Sequence, residues 1–293
     1  MALFLFGVIL KKCYTLSRNM KESWTIFGHQ YVKNILSKHL NSGSFAHAYL
    51  FSGSAGLGKR ALALELAAKI LGTVNLSSHP DFLLLDAAGE ISIEQAQEFL
   101  ERLHLKPFVA KKKIAIINHA QFLNTASSNA LLKTLEEPSA STVIILIAEG
   151  KVLATIASRC QCFNFNAFSQ SQMAAFALKK GFKVSPQQIA LSFGSPARLN
   201  KLVQDAEFLK NQQQLIDDWY KLAATTFAEK IAAVSDYGTK ESDELFQTFG
   251  IWLLWQSKNQ PEAKKLNALL EALKGLKANL NKKMVLQGLF LKI

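Results

Sequence analysis

The sequence predicts an α/β domain with a parallel sheet, followed by a region that is helical to the end of the chain. Short apolar runs typical of strands alternate with helix-length amphipathic segments up to about residue 166, which is the pattern of βαβ units. A glycine-rich loop separates the first run from the first long helical segment. Beyond Phe168 the strand pattern ends and an apolar period near 3.6 predominates.

Five strands and three helices are predicted in the α/β part. The strands are expected at residues 48–52, 82–85, 114–117, 142–148 and 162–165, and the helices at residues 59–71, 93–105 and 125–137. Ser92 stands three residues before Gln95, which is the spacing of a capping box. Asn124 is a suitable N-cap for the third helix, which stops before Pro138.

The helical part is expected to form two domains, at residues 167–205 and 206–293. Pro186 and Pro196 stand where helices could begin. Two apolar helix faces are expected to be core; they comprise Leu215, Ile216, Trp219, Tyr220 and Leu222, and Leu266, Leu269, Leu270 and Leu273. Together with an α/β domain at residues 20–166, this organisation agrees with a chain of 293 residues that is 49% apolar.

The N-terminal segment 1–19 is expected to be an extension outside the folded core. Residues 2–10 are apolar but too few to span a bilayer, and their lysines follow them, which is the reverse of a signal peptide. A weak membrane tether is the alternative. Cys13, Cys160 and Cys162 cannot form a disulfide framework, so a reducing cytoplasm and no membrane partner are expected.

The net charge of +12 would suit a polyanionic partner such as nucleic acid. Much of the excess lies at the two ends of the chain, because residues 260–293 carry seven lysines against Glu262 and Glu271. The basic C-terminal residues could therefore form an arm that binds duplex DNA, or they could simply form a basic surface, and both interpretations stay open. Direct reading of bases is not indicated, since no basic run is interleaved with aromatic residues.

The strongest motif is the loop GSAGLGK. It comprises Gly53, Ser54, Ala55, Gly56, Leu57, Gly58 and Lys59. Such a loop, placed between a strand and a helix, turns backbone N–H groups around phosphates, while the helix dipole and the lysine add positive charge. The sequence therefore predicts a nucleotide-binding loop.

Two elements that magnesium-dependent hydrolysis requires are missing. Arg60 follows Lys59 where a Ser or Thr hydroxyl would bind the metal ion, and Asn118 and His119 follow the third strand where an acidic pair is expected. We expect that the chain binds no metal and requires no cofactor, and that it does not hydrolyse ATP alone. ATP or ADP could still dock through Lys59 and backbone amides. His119 is expected to be a solvated polar residue, with a catalytic base as the alternative.

Five motifs resemble a known family in their order along the chain. They are HAYLFSGSAGLGKRALALELA (47–67), HPDFLLL (79–85), NTASSNALLKTLEEP (124–138), TIASRCQ (155–161) and GSPARL (194–199). The chain resembles bacterial clamp-loader AAA+ subunits over residues 45–200. The resemblance implies an AAA+ α/β domain, a small helical lid at residues 167–205 and an all-α collar at residues 206–293 that joins subunits together.

The resemblance also implies a function. Such a subunit would join motor and delta subunits in a heteropentamer that loads the sliding clamp on primed DNA. Motor subunits keep a complete phosphate loop and acidic pair, whereas subunits of the delta-prime type tolerate their loss. Arg60, Asn118 and His119 therefore favour the delta-prime type. The alternatives are a motor subunit of the gamma/tau kind with a degenerate site, and an independent phosphate-loop ATPase or nucleotide kinase.

Family members commonly carry a zinc module of four cysteines before the HPD segment. Here Ile70 leads to His79 through LGTVNLSS, which contains no cysteine. A structural zinc ion needs about four Cys or His ligands. No zinc is therefore expected.

The resemblance assigns roles to residues outside the loop. Ser158, Arg159 and Cys160 match the SRC motif, whose arginine would reach the γ-phosphate of a neighbouring subunit's ATP as an arginine finger; Cys160 is expected to be a packed thiol. Arg198 resembles a lid arginine that senses nucleotide, and a purely structural role is equally open. Glu136 and Glu137 are expected at a helix end near the subunit boundary.

Overall fold

The computed structural model describes residues 23–87 and 89–293. The predicted extension at residues 1–19, including Cys13, lies outside these residues. The chain forms two compact units, of which the first ends at Ala167 and the second is Phe168–Ile293. The boundary predicted between residues 205 and 206 lies inside the second unit and stays a prediction.

The first unit is built on a five-stranded parallel sheet. Its strands are β1 (Ala48–Gly53), β2 (Phe82–Asp86), β3 (Lys113–Asn118), β4 (Thr142–Ala148) and β5 (Gln161–Phe165). All five predicted strands are present, each within one residue of its expected bounds. The order across the sheet is β2-β3-β4-β1-β5, with every pair parallel. The predicted α/β architecture with a parallel sheet is confirmed.

One helix precedes the sheet and four connect its strands. The first is α1 (Gln30–Ser42), and the connecting helices are α2 (Lys59–Leu71), α3 (Ile93–His104), α4 (Thr125–Glu136) and α5 (Ala154–Ala157), with a 3-10 turn at Ala120–Phe122. The predicted capping box is present, because the Gln95 N–H donates to the Ser92 hydroxyl at 3.3 Å and the Ser92 N–H donates to the Gln95 side chain at 3.0 Å. Asn124 caps α4 by accepting from the Ser127 N–H at 2.9 Å.

The core of the first unit lies around the central strands. Every residue of β3 and β4 is buried, as expected for a parallel sheet covered on both faces. One cluster joins the sheet to the apolar sides of α3 and α4, including Phe99, Leu103, Leu131 and Leu135. This packing fixes the carboxyl ends of the strands, where the functional residues lie.

The second unit is entirely helical over its regular elements, as predicted. The helices are α6 (Gln170–Lys180), α7 (Pro186–Leu191), α8 (Pro196–Gln204), α9 (Ala206–Ala224), α10 (Phe227–Gly238), α11 (Ser242–Asn259), α12 (Ala263–Lys277) and α13 (Lys282–Phe290). Pro186 and Pro196 begin their helices as expected. Within residues 23–87 and 89–293, no helix is both long and apolar enough to cross a membrane.

Two residues of the predicted apolar faces are not core. Tyr220 is 42% exposed and Leu270 is 41% exposed. On α12 the buried line runs through Ala268, Leu269, Ala272 and Leu276, so small alanines face the neighbouring helices and Leu270 turns outward. Tyr220 instead offers its hydroxyl to the Trp255 indole N–H at 3.0 Å.

A buried carboxylate holds the loop between α3 and β3. Asp81 is fully buried and accepts hydrogen bonds from the backbone N–H groups of Phe108, Val109 and Ala110 at 2.6 to 2.8 Å. Burial alone would raise the pKa of Asp81, but these three donors more than offset it, so the pKa lies below its ordinary value. The HPD motif therefore has a structural role in shaping this loop.

We predict that Asp81→Asn destabilises the first unit by about 1–3 kcal/mol at pH 7, because a neutral amide accepts less strongly and its NH₂ group faces donors. A depressed folded-state pKa gives stability that is present above the unfolded pKa and is lost as pH falls through the folded pKa. The difference in free energy of unfolding between the wild type and Asp81→Asn should therefore shrink as the pH falls towards 3. Urea unfolding at a series of pH values from 7 to 3 measures this difference. The control is Glu98→Gln, which changes a carboxylate on an exposed face of α3. A difference that does not depend on pH would contradict the assignment.

Candidate functional site

The predicted phosphate loop lies between β1 and α2. Three of its glycines have positive φ angles: 142° at Gly53, 73° at Gly56 and 90° at Gly58. Gly53 pairs with Phe165 of β5, and a Cβ atom on Gly53 would lie 2.2 Å from the Phe165 carbonyl oxygen. Glycine is therefore required at the first position of the loop by the neighbouring strand as well as by the backbone angle.

Lys59 is buried at the start of α2, where its ammonium group lies within the loop. It donates to the carbonyl oxygens of Gly53 at 2.7 Å and Ser54 at 2.6 Å, and its Nζ lies 3.8 Å from Glu149 Oε1. Burial lowers the pKa of Lys59, while the Glu149 carboxylate acts in the opposite direction. The lysine therefore brings a positive charge into the loop and has a carboxylate nearby.

His29 supports the loop from outside, which the sequence analysis missed. Its Nε2–H donates to the Leu57 carbonyl oxygen at 2.8 Å, and its ring centroid lies 4.5 Å from that of Phe165. Burial lowers the pKa of His29, against the effect of the Leu57 hydrogen bond. The imidazole thus favours the neutral form and acts as a structural donor.

Arg60, Asp86 and Asn118 form one connected group beside the loop. Arg60 Nη2 lies 2.7 Å from Asp86 Oδ2, and the Asn118 side-chain amide donates to Asp86 Oδ1 at 2.7 Å. The Asn118 hydrogen bond lowers the pKa of Asp86 most, and Arg60 lowers it further. The two residues that replace expected metal ligands therefore bind the same carboxylate.

His119 occupies the turn after β3. Its φ angle is 56°, its ring stacks on Phe122 with centroids 5.7 Å apart, and its Nδ1 lies 3.5 Å from the Gln121 amide nitrogen. These contacts stabilise the turn. A role as catalytic base remains only an alternative.

Sequence analysis also missed the two carboxylates near the loop. Asp86 is the last residue of β2, and Glu149 directly follows β4. Their position supplied a signal, because the carboxyl ends of parallel strands meet at one edge of a sheet, where ligands bind. Each carboxylate lies beside a cation, Arg60 or Lys59. Each cation at the loop is therefore paired with a carboxylate of the protein.

No cluster of three or more His, Cys, Asp or Glu side chains suited to a metal ion occurs in the described part of the chain. The expectations that no zinc, magnesium or other metal is bound stay predictions.

The SRC residues lie after α5. Ser158 Oγ and Arg159 Nη1 both donate to the Thr155 carbonyl oxygen at 3.0 Å. Arg159 Nη2 donates to Glu136 Oε1 at 2.7 Å, and the arginine side chain is 35% exposed. Burial raises the pKa of Cys160 to about 12, so Cys160 is a packed thiol rather than a thiolate. The motif holds its arginine by two hydrogen bonds and packs its partly buried cysteine against the core of the first unit.

Arg198 is extensively engaged inside the second unit. Its Nε donates to the Leu191 carbonyl oxygen at 2.7 Å, and its Nη2 donates to the Gln212 side chain. The guanidinium carbon lies 4.8 Å from the Phe193 ring centroid and 5.6 Å from that of Phe208. Burial lowers the pKa of Arg198 to about 10, so it stays charged at neutral pH. These contacts describe a packing role, and nucleotide sensing stays a prediction.

Comparisons with known proteins agree with the motifs. Residues 28–169 match the profile of the family described as "DNA polymerase III, delta subunit". The chain is 31% identical over 215 residues to the DNA polymerase III subunit delta' of Pseudomonas aeruginosa, across 63% of this chain and 65% of that protein. It is 32% identical over 177 residues to the subunit gamma of Buchnera aphidicola subsp. Schizaphis graminum, across 53% and 49%.

The chain thus spans less than two thirds of the length of these two relatives. A solved gamma subunit-related protein of Thermotoga maritima is 18% identical, with a TM-score of 0.46 and coverage of 95% of this chain and 97% of that one. The family match and the two relatives confirm the resemblance to subunits of DNA polymerase III, and it extends to relatives of both the delta' and gamma kinds.

We predict that Gly53→Ala destabilises the first unit by about 2–4 kcal/mol, since the new methyl group collides with the Phe165 carbonyl oxygen in addition to straining the backbone. Gly72→Ala is the matched control, because Gly72 has a φ angle of 67° but open space at its Cβ position. Gly72→Ala should lower the free energy of unfolding by about 1–2 kcal/mol. Denaturant unfolding measures this free energy for both variants, and equal losses would contradict the role of the close approach between Gly53 and Phe165.

We predict that Arg198→Met destabilises the second unit by about 1–3 kcal/mol, because the Leu191 carbonyl and the Gln212 side chain lose a charged donor. Methionine retains much of the apolar stem. Lys201→Met is the control: Lys201 also lies over the Phe208 ring, at 4.2 Å, but is exposed. Thermal unfolding monitored by tryptophan fluorescence distinguishes the two variants, and similar melting temperatures would contradict the packing role.

Proposed function

We propose that this chain, which resembles clamp-loader subunits of DNA polymerase III, is a clamp-loader subunit of the delta-prime type that does not hydrolyse ATP itself. One contrast supports this proposal most strongly. Arg159 is presented at the surface by two hydrogen bonds, whereas Arg60 and Asn118 replace expected metal ligands beside the chain's own loop. Such a chain is better suited to complete the ATPase site of a neighbouring subunit than to hydrolyse ATP at its own loop.

Arg159 would act on ATP held by an adjacent motor subunit. Charge grows on the γ-phosphate oxygens during hydrolysis, and a guanidinium directed at them stabilises the transition state. Arginine suits this role because it stays charged and offers several donors in a plane. Ser158 and Cys160 support it indirectly, Ser158 through its hydrogen bond to the Thr155 carbonyl oxygen and Cys160 by packing against the core of the first unit.

The chain's own loop would bind ATP or ADP, if at all, without hydrolysis. Lys59 and the amides at the start of α2 can contact phosphates, but the group beside them is Arg60 paired with Asp86. A guanidinium cannot ligate a cation, so catalysis through magnesium at this position is disfavoured.

The assembly we propose is a heteropentamer with motor and delta subunits, acting in the bacterial cytoplasm. It would open the sliding clamp and place it on primed DNA, with this chain reaching DNA through the complex. The family match and the delta' relative support membership of a clamp loader.

A motor subunit of the gamma/tau kind with a degenerate site is the second candidate. The gamma relative favours it, as does the retained Lys59. Magnesium-dependent ATP turnover by the purified chain, abolished by Lys59→Ala, would favour this motor function or the independent ATPase. Salt-dependent DNA binding by the purified chain alone would instead favour the basic C-terminal arm.

We predict that Arg159→Ala lowers DNA- and clamp-stimulated ATP hydrolysis at the adjacent motor subunit's site in the reconstituted loader on the order of 10³-fold while assembly is retained, because the transition state there loses its cation. Gel filtration checks assembly and a coupled assay measures the rate. Arg159→Lys should retain only part of the activity, since an ammonium group cannot reproduce the fork of donors.

The control is Arg102→Ala, which removes an exposed arginine of α3 in the same unit. Its rate should equal that of the wild type. An unchanged rate with Arg159→Ala would remove the arginine-finger role, and failure of the wild-type chain to assemble would count against the delta-prime assignment itself.

A further inference from the structure

The end of α4 contacts the arginine of the SRC motif. Glu136, the last residue of α4, accepts a hydrogen bond from Arg159 Nη2 at 2.7 Å. Arg159 Nη1 donates to the Thr155 carbonyl oxygen at 3.0 Å. Because the two contacts use different nitrogens of one planar group, they fix the orientation of the guanidinium and not only its position.

Rigid elements hold both partners of Arg159. Ile156 is fully buried and anchors α5, the short helix that supplies the Thr155 carbonyl. Leu131 and Leu135 anchor α4 in the core of the sheet, just before Glu136. The backbone position of Glu136 is therefore fixed, and its 51% exposed side chain reaches Arg159 from there.

The arrangement leaves Arg159 able to act. A guanidinium carries five N–H groups, and the two contacts each use one of them, so a further anion can be bound without breaking either contact. A flexible arginine would lose side-chain entropy on meeting such an anion, about 2 kcal/mol for a fully free side chain. A guanidinium that is already oriented loses less, which is the advantage of preorganisation.

We propose that Glu136 is a positioning residue for Arg159: it holds the guanidinium in the orientation that meets a phosphate of a neighbouring subunit. This inference rests on the proposed arginine-finger function. Glu136 contacts Arg159 and touches no reacting group, so its effect passes through the arginine alone.

The next residue provides a matched control. Glu137 carries the same charge, is also exposed and lies one position further along, where its backbone N–H caps α4 by donating to the Lys133 carbonyl oxygen. Replacing either glutamate changes the net charge equally. Only replacement of Glu136 removes the acceptor of Arg159.

The test compares Glu136→Ala, Glu136→Gln and Glu137→Ala in the reconstituted loader. Because an exposed ion pair contributes little, we expect kcat for stimulated ATP hydrolysis to fall about three- to fivefold with Glu136→Ala, with KM for ATP unchanged. Glu136→Gln should restore most of the rate, since its amide oxygen still accepts a hydrogen bond. Glu137→Ala should equal the wild type.

A double variant separates this inference from the function on which it rests. In the Arg159→Ala background, Glu136→Ala should cause no further fall, because the two residues act as one unit. A further threefold fall there, or equal rates for Glu136→Ala and Glu137→Ala, would overturn the positioning role and leave the arginine finger intact. A wild-type rate with Arg159→Ala would overturn the arginine finger and, with it, the positioning role.

A measurement on the purified chain gives an independent readout. Side-chain ¹⁵N relaxation of the Arg159 Nε–H group should show a lower order parameter in Glu136→Ala and not in Glu137→Ala. Unfolding curves confirm that each variant is folded. An equal order parameter in the wild type, Glu136→Ala and Glu137→Ala would overturn the proposal, and this measurement does not require the reconstituted loader.

Discussion

The position of β1 between β4 and β5 determines which residues surround the phosphate loop. β1 pairs with β4 on one side and with β5 on the other, and all three strands run parallel. Their carboxyl ends therefore lie side by side, so the phosphate loop after β1 meets Glu149 after β4 and the carbonyl of Phe165 on β5. The burial of β4 on both faces keeps this arrangement rigid.

Arg60 and Asn118, which stand where metal ligands are expected, are chemically consistent with each other. An aspartate at position 118 would place a second carboxylate against Asp86, and like charges at hydrogen-bond distance raise each other's pKa. Asn118 instead donates its amide to Asp86, and Arg60 neutralises the remaining charge. The protein thus supplies a fixed guanidinium where related phosphate loops recruit a metal ion through a hydroxyl group.

Local chemistry was predictable from the sequence, whereas long-range neighbours were not. The strand runs, the bounds of α2 and the caps at Ser92 and Asn124 depend on residues close in the chain. Asp86 lies 26 residues from Arg60 and Glu136 lies 23 residues from Arg159 along the chain, and only the tertiary fold brings each pair together. Tyr220 and Leu270 were misplaced because periodicity identifies a helix face but not the size of the side chains that its neighbours accept.

The two arginines depend on separate parts of the first unit. Arg60 is held by Asp86 at the end of β2, whereas Arg159 is held by Thr155 of α5 and Glu136 of α4. Substitutions beside the phosphate loop are therefore expected to leave the contacts of Arg159 unchanged. Contacts that share no partner are expected to contribute independently. A chain of this fold can consequently carry substitutions beside its own phosphate loop and keep the hydrogen bonds that hold Arg159.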